Sequence, residues 1–360
     1  MFGSLRAASR VSVVAVGPEQ RPGASTTALR GLPRTTWSIA RSALAIRTST
    51  QFRSADVVHA NTSRAAVIGS LAALGTRTCM VVHLRDRVEQ ESLGRFGTRS
   101  LGWALGRATG VIANSHSTLA TAEPYLRRRT QRIVIPSPTG LTMGAAPRTS
   151  TRRPGVGSTV DRVVMLARVD PWKGQDVLLQ AFAGVFRRTS ARLVLAGGTA
   201  FGHDEYLDNL RILAAQLGIT PQVDFLGHVE DVSTLLADAD ICVQASVRPE
   251  PLGQNVLQYL AAGRPVIATR GGGPAEWVED GVNGLLVPMN DAAALAGALR
   301  RLRDTPALRE HLSLNASTTP GLRSDVDIVD EHHRFFSDCT RRHRGETARA
   351  RNAHTGELRR

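Results

Sequence analysis

The chain has 360 residues, 42% of them hydrophobic and 4% aromatic, which is enough for two domains with aliphatic cores of their own. Its longest stretch without a charged or strongly polar residue, about 65–75, is far shorter than the ~20 residues of a membrane-spanning helix, so none is predicted. The formal charge is +14, and it is uneven: residues 1–150 contain 20 Arg and 6 acidic residues, whereas residues 151–360 contain 25 basic and 25 acidic residues.

Short β-rich runs alternate with helical patterns along the chain, which predicts βα units and parallel sheets. Each run is apolar on successive residues, as expected for strands covered on both faces. Residues 146–159 are rich in Pro, Gly, Ser, Thr and Arg, and they predict a linker between two doubly wound domains. In chain order the predicted strands are VSVVAV (11–16), DVVHAN (56–61), TCMVVHL (78–84), GVIANS (110–115), RIVIPSP (132–138), RVVMLAR (162–168), ARLVLAGG (191–198), VDFLGHV (223–229), ICVQAS (241–246), PVIATR (265–270) and LLVP (285–288), and the helices of the second half are 174–189, 205–217, 232–237, 254–262, 291–303 and 325–339.

A glycine turn follows the predicted strand ICVQAS, in the segment RPEPLGQNVLQYLAAG (248–263). Gly253 opens a helix there, and the unpaired N–H groups and the dipole of a helix N-terminus attract phosphate. An ordinary βα turn with glycine at positive φ explains the same pattern, so both interpretations stay open at this point.

Two cations follow the predicted strand RVVMLAR. Arg168 ends this strand, and Lys173, the only lysine in the chain, comes just before helix 174–189. Such a pair at the C-terminal edge of a parallel sheet could clamp a diphosphate, Arg as a planar fork and Lys as a point charge. Because most Arg and Lys side chains face water, a solvated pair remains the alternative.

These segments together resemble the family-4 retaining glycosyltransferases, also called glycosyl transferases group 1. The resemblance covers nearly all of residues 160–305 and is weaker over the first half. It implies the α/β fold GT-B, in which two Rossmann-like doubly wound domains face each other across a cleft. The motifs that carry it are RVDPWKGQDVLLQAF, LVLAGG, VDFLGHVEDVSTLLADADICVQAS, EPLGQNVLQYLAAGRPVIATRGGGPAEWVEDGVNGLLVP and DAAALAGALRRL, with DVVHAN, VVHLRD, VIANS and RIVIPSPTG in the first half.

The resemblance also implies roles for individual residues. Arg168 and Lys173 should bind the donor diphosphate and neutralise the charge that grows on the leaving group. Glu250 should contact the donor sugar, and His83 should reach the sugar near the reaction centre, although a strand-end His is otherwise more often structural. The further donor-binding residues are Gly197, His228, Gly253, the backbone N–H groups of Gln254, Asn255 and Val256, and Gln258.

Gln258 is a departure from the family pattern, whose E-x7-E motif here reads Glu250 to Gln258. Gln keeps a carbonyl acceptor and adds an NH2 donor, but it lacks the charge that strengthens a hydrogen bond to the nucleotide ribose. That difference is worth on the order of 1 kcal/mol. We expect weaker or altered nucleotide binding.

Neither a metal nor a cofactor is expected, because the sugar nucleotide is a substrate. Asp238-Ala239-Asp240 matches the D-x-D metal motif of the other major glycosyltransferase fold, but it straddles a helix end and a buried strand, so we interpret its carboxylates as caps or turn formers. The tracts 127–129 and 341–344 are Arg-rich without interleaved aromatics, so nucleic acid is not expected to bind. We favour solvated surface or an acidic lipid headgroup.

The chain starts at what resembles the second strand of the family pattern, so we expect the first βα unit, roughly 30 residues, to be absent. Cys79, Cys242 and Cys339 have neither metal-ligand nor disulfide spacing, and residues 1–10 lack signal-peptide features. The predicted location is therefore cytoplasmic, with peripheral contact at the inner face of the cell membrane left open. The predicted organisation is an acceptor-side Rossmann-like domain with a truncated start (1–147), a linker (148–159), a nucleotide-sugar-binding Rossmann-like domain (160–324), a C-terminal helix (325–340) and a basic disordered tail (341–360).

The leading hypothesis is metal-independent transfer of a sugar from a nucleoside diphosphate sugar to an acceptor, with retention of configuration. The positive field of residues 1–150 favours a lipid-linked or otherwise anionic cell-envelope acceptor and contact with an acidic membrane surface, whereas an Arg-rich background without such a role explains the charge equally well. A catalytically weak or inactive GT-B scaffold or partner subunit, and an epimerase of the same fold, are the alternatives.

Overall fold

The computed structural model describes residues 32–141, 159–199 and 203–357. These residues fall into two compact units, which we call unit 1 (32–138 and 325–357) and unit 2 (139–141, 159–199 and 203–324). The predicted strand at 11–16 and all but the last residue of the predicted linker lie outside the described residues.

Helices and strands alternate in both units, and all ten strands predicted within the described residues are present. In unit 1 the elements are α1 (Leu32–Thr48), α2 (Thr50–Ser54), β1 (Val57–Ala60), α3 (Ser63–Ala72), β2 (Cys79–Leu84), α4 (Gln90–Leu105), β3 (Gly110–Ala113), α5 (His116–Ala122) and β4 (Gln131–Val134). In unit 2 they are β5 (Arg162–Leu166), α6 (Gln175–Phe186), β6 (Arg192–Ala196), α7 (Asp204–Gln216), β7 (Val223–Gly227), α8 (Val232–Ala237), β8 (Ile241–Gln244), α9 (Gln254–Ala261), β9 (Val266–Thr269), α10 (Pro274–Trp277), β10 (Leu285–Val287), α11 (Ala292–Asp304) and α12 (Pro306–Ala316); α13 (Asp325–Glu357) returns to unit 1.

Each unit contains one sheet, and every strand pair in both sheets is parallel. The strand order is β1-β2-β3-β4 in unit 1 and β10-β9-β8-β5-β6-β7 in unit 2. The prediction of parallel, doubly wound sheets is confirmed for the described residues.

Successive residues of the strands enter different hydrophobic cores, as the uninterrupted apolar runs require. In β5, Val163 and Met165 belong to one core of unit 2, whereas Val164 belongs to another. Because side chains alternate across a sheet, the two cores lie on its two faces. Burial on both faces explains why these strands lack an alternating polar pattern.

One face of the unit 1 sheet is covered by the C-terminal helix α13. Ile328, Phe335 and Cys339 of this helix share a core with Val81 and Ile112 of the sheet. In place of the disordered tail predicted after residue 340, the helix continues to Glu357.

Two contacts tie the first part of this extension to unit 1. His343 Nε2 lies 3.0 Å from the backbone oxygen of Arg77, and Arg344 forms an ion pair with Asp56. Within the described parts of the chain, no helix is both long and apolar enough to cross a membrane.

Candidate active site

The sheet of unit 2 contains a topological switch between β5 and β8. From β5 the chain proceeds through β6 to β7 on one side, and from β8 through β9 to β10 on the other. The two strands pair only through Val163 with Ile241 and Val164 with Cys242. Ligands of open α/β sheets bind in the crevice that such a switch creates beyond the carboxyl ends of the strands.

Lys173 and Glu250 meet at this crevice. Lys173 ends a 3-10 turn, Pro171–Lys173, that follows β5, and Glu250 lies in the loop that follows β8. Lys173 Nζ pairs with Glu250 Oε1, and the two side chains are only 12% and 9% exposed. A charge buried in this way is stabilised only when a partner compensates it, so the alternative of a solvated Lys173 is excluded.

The carboxylate of Glu250 is held by two further side chains. Its Oε2 accepts hydrogen bonds from Gln244 Nε2 at 2.8 Å and from Ser246 Oγ at 2.7 Å. Gln244 Oε1 in turn accepts from the backbone N–H of Thr269 at 2.9 Å and from its hydroxyl at 3.0 Å. Sequence reasoning missed this network, although a glutamine inside the buried strand ICVQAS was a signal for it.

Trp172 lies between two cations of the site. Lys173 Nζ is 3.9 Å from the centroid of its indole ring, and the guanidinium carbon of Arg248 is 4.7 Å from it. Cations are attracted to an aromatic face by its quadrupole. Lys173 therefore contacts both the Trp172 ring and the carboxylate of Glu250.

Arg168 extends from the end of β5 with a side chain that is 45% exposed, and its Nη2 lies 3.7 Å from Asp170 Oδ2. Asp170 caps the turn that carries Lys173, because its Oδ1 accepts from the N–H of Trp172 at 3.4 Å. Gln175 Nε2 donates to the backbone oxygen of Arg168 at 2.7 Å. Arg168 and Lys173 are thus brought to the same loop, as predicted, but only Lys173 is buried.

Two of the predicted site residues are glycines whose positive φ and close neighbours leave no room for a side chain. Gly197 has φ 149°, and a Cβ there would lie 2.0 Å from the backbone oxygen of Ala167. Gly253 has φ 73°, and its Cβ would lie 2.7 Å from Pro274 Cγ. Close backbone approach at the carboxyl edge therefore explains both residues without reference to a ligand.

His228 follows β7 at the same edge of the sheet and is exposed. Its backbone lies next to the loop after β6, because a Cβ at Gly198 would be 3.7 Å from His228 N. His228, a predicted donor-binding residue, therefore lies at the same edge of the sheet as Lys173 and Glu250.

The first turn of α9 begins at Gly253 and is tied to β5. Asn255 Nδ2 donates to the backbone oxygen of Leu166 at 3.1 Å. The N–H of Val256 donates to Gly253 O at 2.9 Å and to Asn255 Oδ1 at 3.0 Å. Of the three N–H groups predicted to meet phosphate, that of Val256 is therefore already used within the protein.

Tyr259, also on α9, joins the two strands that separate at the switch. Its hydroxyl accepts a 2.7 Å hydrogen bond from the N–H of Leu166 in β5 and donates a 3.3 Å bond to Val243 O in β8. Burial raises the pKa of the Tyr259 phenol well above its usual value. No sequence pattern indicates this role, because a helical apolar pattern explains Tyr259 equally well.

Gln258 uses its amide within unit 2. Its Nε2 donates to the backbone oxygen of Thr139 at 2.9 Å. A carboxylate has no proton to donate at neutral pH, so the glutamate of the family motif could not make this contact.

His83 lies in unit 1 near the carboxyl end of β2 and is packed against other imidazoles. Its ring centroid is 5.5 Å from those of His59 and His332, and it is 4% exposed. Among the described residues, neither ring nitrogen has a hydrogen-bond partner. Burial, followed by the neighbouring His59 and His332, lowers the pKa of His83 well below its usual value, so the ring is neutral at physiological pH.

The carboxylates of the D-x-D pattern contact the start of β5, which is a structural role but not the cap or turn that was predicted for them. Asp240 Oδ2 accepts from the backbone N–H groups of Asp161 at 2.7 Å and Arg162 at 2.9 Å, and Asp238 lies 3.4 Å from the Arg162 guanidinium. Both carboxylates thus fix the start of β5. In the part of the chain that the structure describes, no group of three or more His, Cys, Asp or Glu side chains could hold a metal ion.

Two family models together match most of the chain. The model Glycosyltransferase Family 4 matches residues 4–139, and the model Glycosyl transferases group 1 matches residues 149–319. The chain therefore belongs to the group 1 / family 4 glycosyltransferases.

A solved structure similar to this glycosyltransferase is that of Anabaena Alr3699/HepE, determined with UDP and glucose. It aligns with a TM-score of 0.70 and 26% identity over 85% of this chain and 83% of that chain. The sucrose-phosphate synthase of Thermosynechococcus elongatus, 21% identical with a TM-score of 0.72 over 90% of this chain and 81% of its own, has the same fold. These similarities confirm the GT-B fold predicted from the sequence.

Curated relatives match over shorter stretches. The lipopolysaccharide core biosynthesis glycosyltransferase LpsE of Rhizobium meliloti is 39% identical over 151 residues, 42% of each chain. The D-inositol 3-phosphate glycosyltransferase of Acidothermus cellulolyticus is 29% identical over 276 residues, 71% of this chain and 61% of the relative. The chain therefore spans about half the length of the curated relatives it matches.

The structure brings ten of the eleven predicted site residues to the carboxyl edge of the unit 2 sheet. His83 is the exception, because it belongs to unit 1. The residues in unit 2 are Arg168, Lys173, Gly197, His228, Glu250, Gly253, Gln254, Asn255, Val256 and Gln258.

Proposed function

We propose that this chain transfers a sugar from a nucleoside diphosphate sugar to an acceptor, with retention of configuration and without a metal ion. The buried Lys173–Glu250 pair at the switch point of unit 2 is the observation that carries the proposal. A cation and a carboxylate of this kind offer one group to a diphosphate and one to sugar hydroxyls. The UDP and glucose bound by Anabaena Alr3699/HepE support a donor of this class.

In the proposed reaction the bond between the sugar C1 and the diphosphate oxygen breaks, and a bond from C1 to an acceptor oxygen forms. Lys173 and Arg168 stabilise the negative charge that grows on the departing diphosphate. Glu250 accepts hydrogen bonds from sugar hydroxyls, and Gln244 and Ser246 hold its carboxylate in one orientation. The acceptor hydroxyl gives its proton to an oxygen of the departing diphosphate as the new bond forms.

The proposed acceptor is a cell-envelope glycan or a lipid-linked precursor at an acidic membrane surface. The 20 Arg and 6 acidic residues of 1–150 support this part, because they attract anionic surfaces. The name of LpsE, which refers to lipopolysaccharide core biosynthesis, is consistent with such an acceptor.

The donor proposal is tested with the full chain and a panel of UDP-, GDP- and dTDP-sugars, by following release of the nucleoside diphosphate. Lys173→Ala and Glu250→Gln should each lower turnover by about 100-fold or more. Arg192→Gln is the control, because it removes an exposed cation paired with Asp224 at the amino edge of the same sheet. Turnover that is unaffected by Lys173→Ala would contradict the assignment of the site.

The inactive scaffold is the second candidate, and the amide contact of Gln258 with Thr139 favours it, since this residue replaces a ribose-binding glutamate. The scaffold hypothesis predicts that calorimetry detects UDP binding, whereas no sugar nucleotide of the panel releases its nucleoside diphosphate. Binding together with turnover rejects the scaffold.

A further inference from the structure

A pocket of about 580 Å³ lies in unit 1 at the amino ends of β1 and β2. Its polar lining consists of three arginines and three threonines: Arg47, Arg53, Arg77, Thr48, Thr76 and Thr78. The predicted site residues follow the carboxyl ends of strands instead, so this pocket lies at the opposite edge of its sheet from His83 and does not belong to the donor site.

The three guanidinium groups of the pocket have no carboxylate partner among the described residues. Arg53 and Arg77 form no ion pair there, and Arg47 Nη1 donates only to backbone oxygens, those of Ala72 at 2.9 Å and of Leu74. These bonds fix the position of Arg47 without neutralising it. Like charges that share a concave surface repel one another, and a bound anion would relieve that repulsion.

The Arg-rich end of α13 adds to this positive surface. His343 contacts the backbone oxygen of Arg77, and Arg344 pairs with Asp56, the residue after the pocket residue Ala55. The carboxylate of Asp56, which follows this lining residue in the chain, is thus already paired with an arginine. The tract 341–344 and the basic first half of the chain, which are far apart in sequence, therefore meet at one surface.

Two large apolar side chains are exposed on the helix that borders the pocket. Trp37 is 69% and Leu44 is 62% exposed, and Leu44 lines the pocket. A spacing of seven residues places both on the same face of α1. Exposed Trp and Leu beside arginines are typical of helices that rest on a lipid headgroup layer.

We propose that this pocket binds a phosphate group. The guanidinium groups of Arg53 and Arg77 donate paired hydrogen bonds to phosphate oxygens, as Arg commonly does. The phosphate can come from the headgroup of an acidic lipid or from a soluble phosphate compound. The position of Trp37 and Leu44 favours the lipid. The inference does not depend on glycosyl transfer.

The test compares two double variants of the full chain with equal loss of charge. Arg53→Gln with Arg77→Gln changes the pocket, and Arg95→Gln with Arg99→Gln removes two exposed arginines of α4, elsewhere in unit 1. One arm measures cosedimentation with phosphatidylcholine vesicles that contain or lack phosphatidylglycerol. The other measures binding of inorganic phosphate and pyrophosphate by calorimetry.

The pocket variant should bind phosphatidylglycerol vesicles about 30-fold more weakly than the unchanged chain, whereas the control should lose much less. Loss of phosphate or pyrophosphate binding in the pocket variant alone also supports the site and identifies a soluble ligand. Equal behaviour of the two variants in both arms overturns the proposal.

Two further measurements keep the result interpretable. Arg53→Gln alone serves if the double variant does not fold, because the Arg53 side chain is exposed and forms no ion pair with a described residue. UDP titration of each variant separates this site from the donor site: the pocket variant should bind UDP like the unchanged chain, whatever the outcome of the turnover experiments.

Discussion

The side-chain amide of Gln258 donates a 2.9 Å hydrogen bond to the backbone carbonyl of Thr139. This bond requires an amide, because a carboxylate at the same position could only repel the carbonyl oxygen. The residue that departs from the family motif therefore has a structural partner of its own, and its Oε1 remains as the acceptor that a ribose hydroxyl could use.

Replacing Gln258 with Glu should lower the free energy of unfolding by about 1–2 kcal/mol, because the bond to Thr139 is lost and a negative charge faces a carbonyl oxygen. The proposed ribose contact predicts at the same time that UDP binds several-fold more tightly. Urea denaturation and calorimetry measure the two effects. Gln216→Glu, at the exposed end of α7, is the control, and an equal stability change in both variants would contradict the role of the Thr139 contact.

Gln244→Leu should remove the hydrogen bond by which strand β8 holds the carboxylate of Glu250. The substitution leaves the N–H of Thr269 and one carboxylate oxygen of Glu250 without these partners, which should cost about 2–4 kcal/mol of stability. Turnover should also fall, because Glu250 then samples several orientations. Steady-state kinetics with the active donor of the panel, together with thermal melting, checks this, and wild-type turnover in a folded Gln244→Leu protein would remove Gln244 from the site.

Two glycines of unit 2 give a matched test of the crowded backbone at the carboxyl edge. Gly197→Ala places a Cβ 2.0 Å from the Ala167 oxygen at φ 149°, so we expect a loss of several kcal/mol. Gly184 lies inside α6 with open space around it, and Gly184→Ala should stabilise the chain by up to ~1 kcal/mol. Chemical denaturation of both variants measures the change in the free energy of unfolding. Similar changes at the two positions would contradict the close approach of the Ala167 oxygen to Gly197.

The imidazole cluster of unit 1 predicts a loss of stability in acid. Burial, and secondly the charge of His332, lower the pKa of His59 from 6.5 to about 4. Between pH 6.5 and about pH 4, His59 binds a proton in the unfolded chain but not in the folded chain. The free energy of unfolding is therefore highest above pH 6.5 and falls as the pH drops to about 4. This residue alone contributes about 3 kcal/mol.

Thermal unfolding between pH 7 and pH 4 measures this dependence. His59→Phe should reduce its slope, whereas His116→Gln, a change at an exposed histidine of the same unit, should not. Identical pH profiles for the unchanged chain and His59→Phe would exclude the cluster as the cause.

The strands and most helices could be predicted from the sequence because their signals are local. Apolar runs such as RVVMLAR require burial on both faces, and the structure provides a core on each side of β5. The end of α13 could not be predicted, because residues 341–357 are polar throughout, and the described contacts that hold their first part, with Arg77 and Asp56, come from more than 260 positions away.

The candidate site was predictable where a residue type is required at one place along the chain, as at Lys173, Glu250 and Gly253. The contacts that position these residues are long-range and were missed. A glutamine inside the buried strand ICVQAS signals a polar contact, but nothing in the local pattern indicates that its partner is Glu250 or that Val256 uses its N–H within the helix. The prediction for Gln258 rested on the negative charge that glutamine lacks relative to glutamate. The contact with Thr139 instead uses the NH2 donor that glutamine has and glutamate does not.

The hydroxyl of Tyr259 closes the place where β5 and β8 diverge, and its proton is needed for the bond to Val243. Because burial raises the pKa of Tyr259 well above its usual value, that proton stays in place across the range in which proteins are ordinarily handled. The crevice is therefore insensitive to mild alkali at this point, unlike unit 1, which responds to acid. Activity lost on the alkaline side of neutrality would then report on the ligands or on other groups, and not on an opening of the sheet.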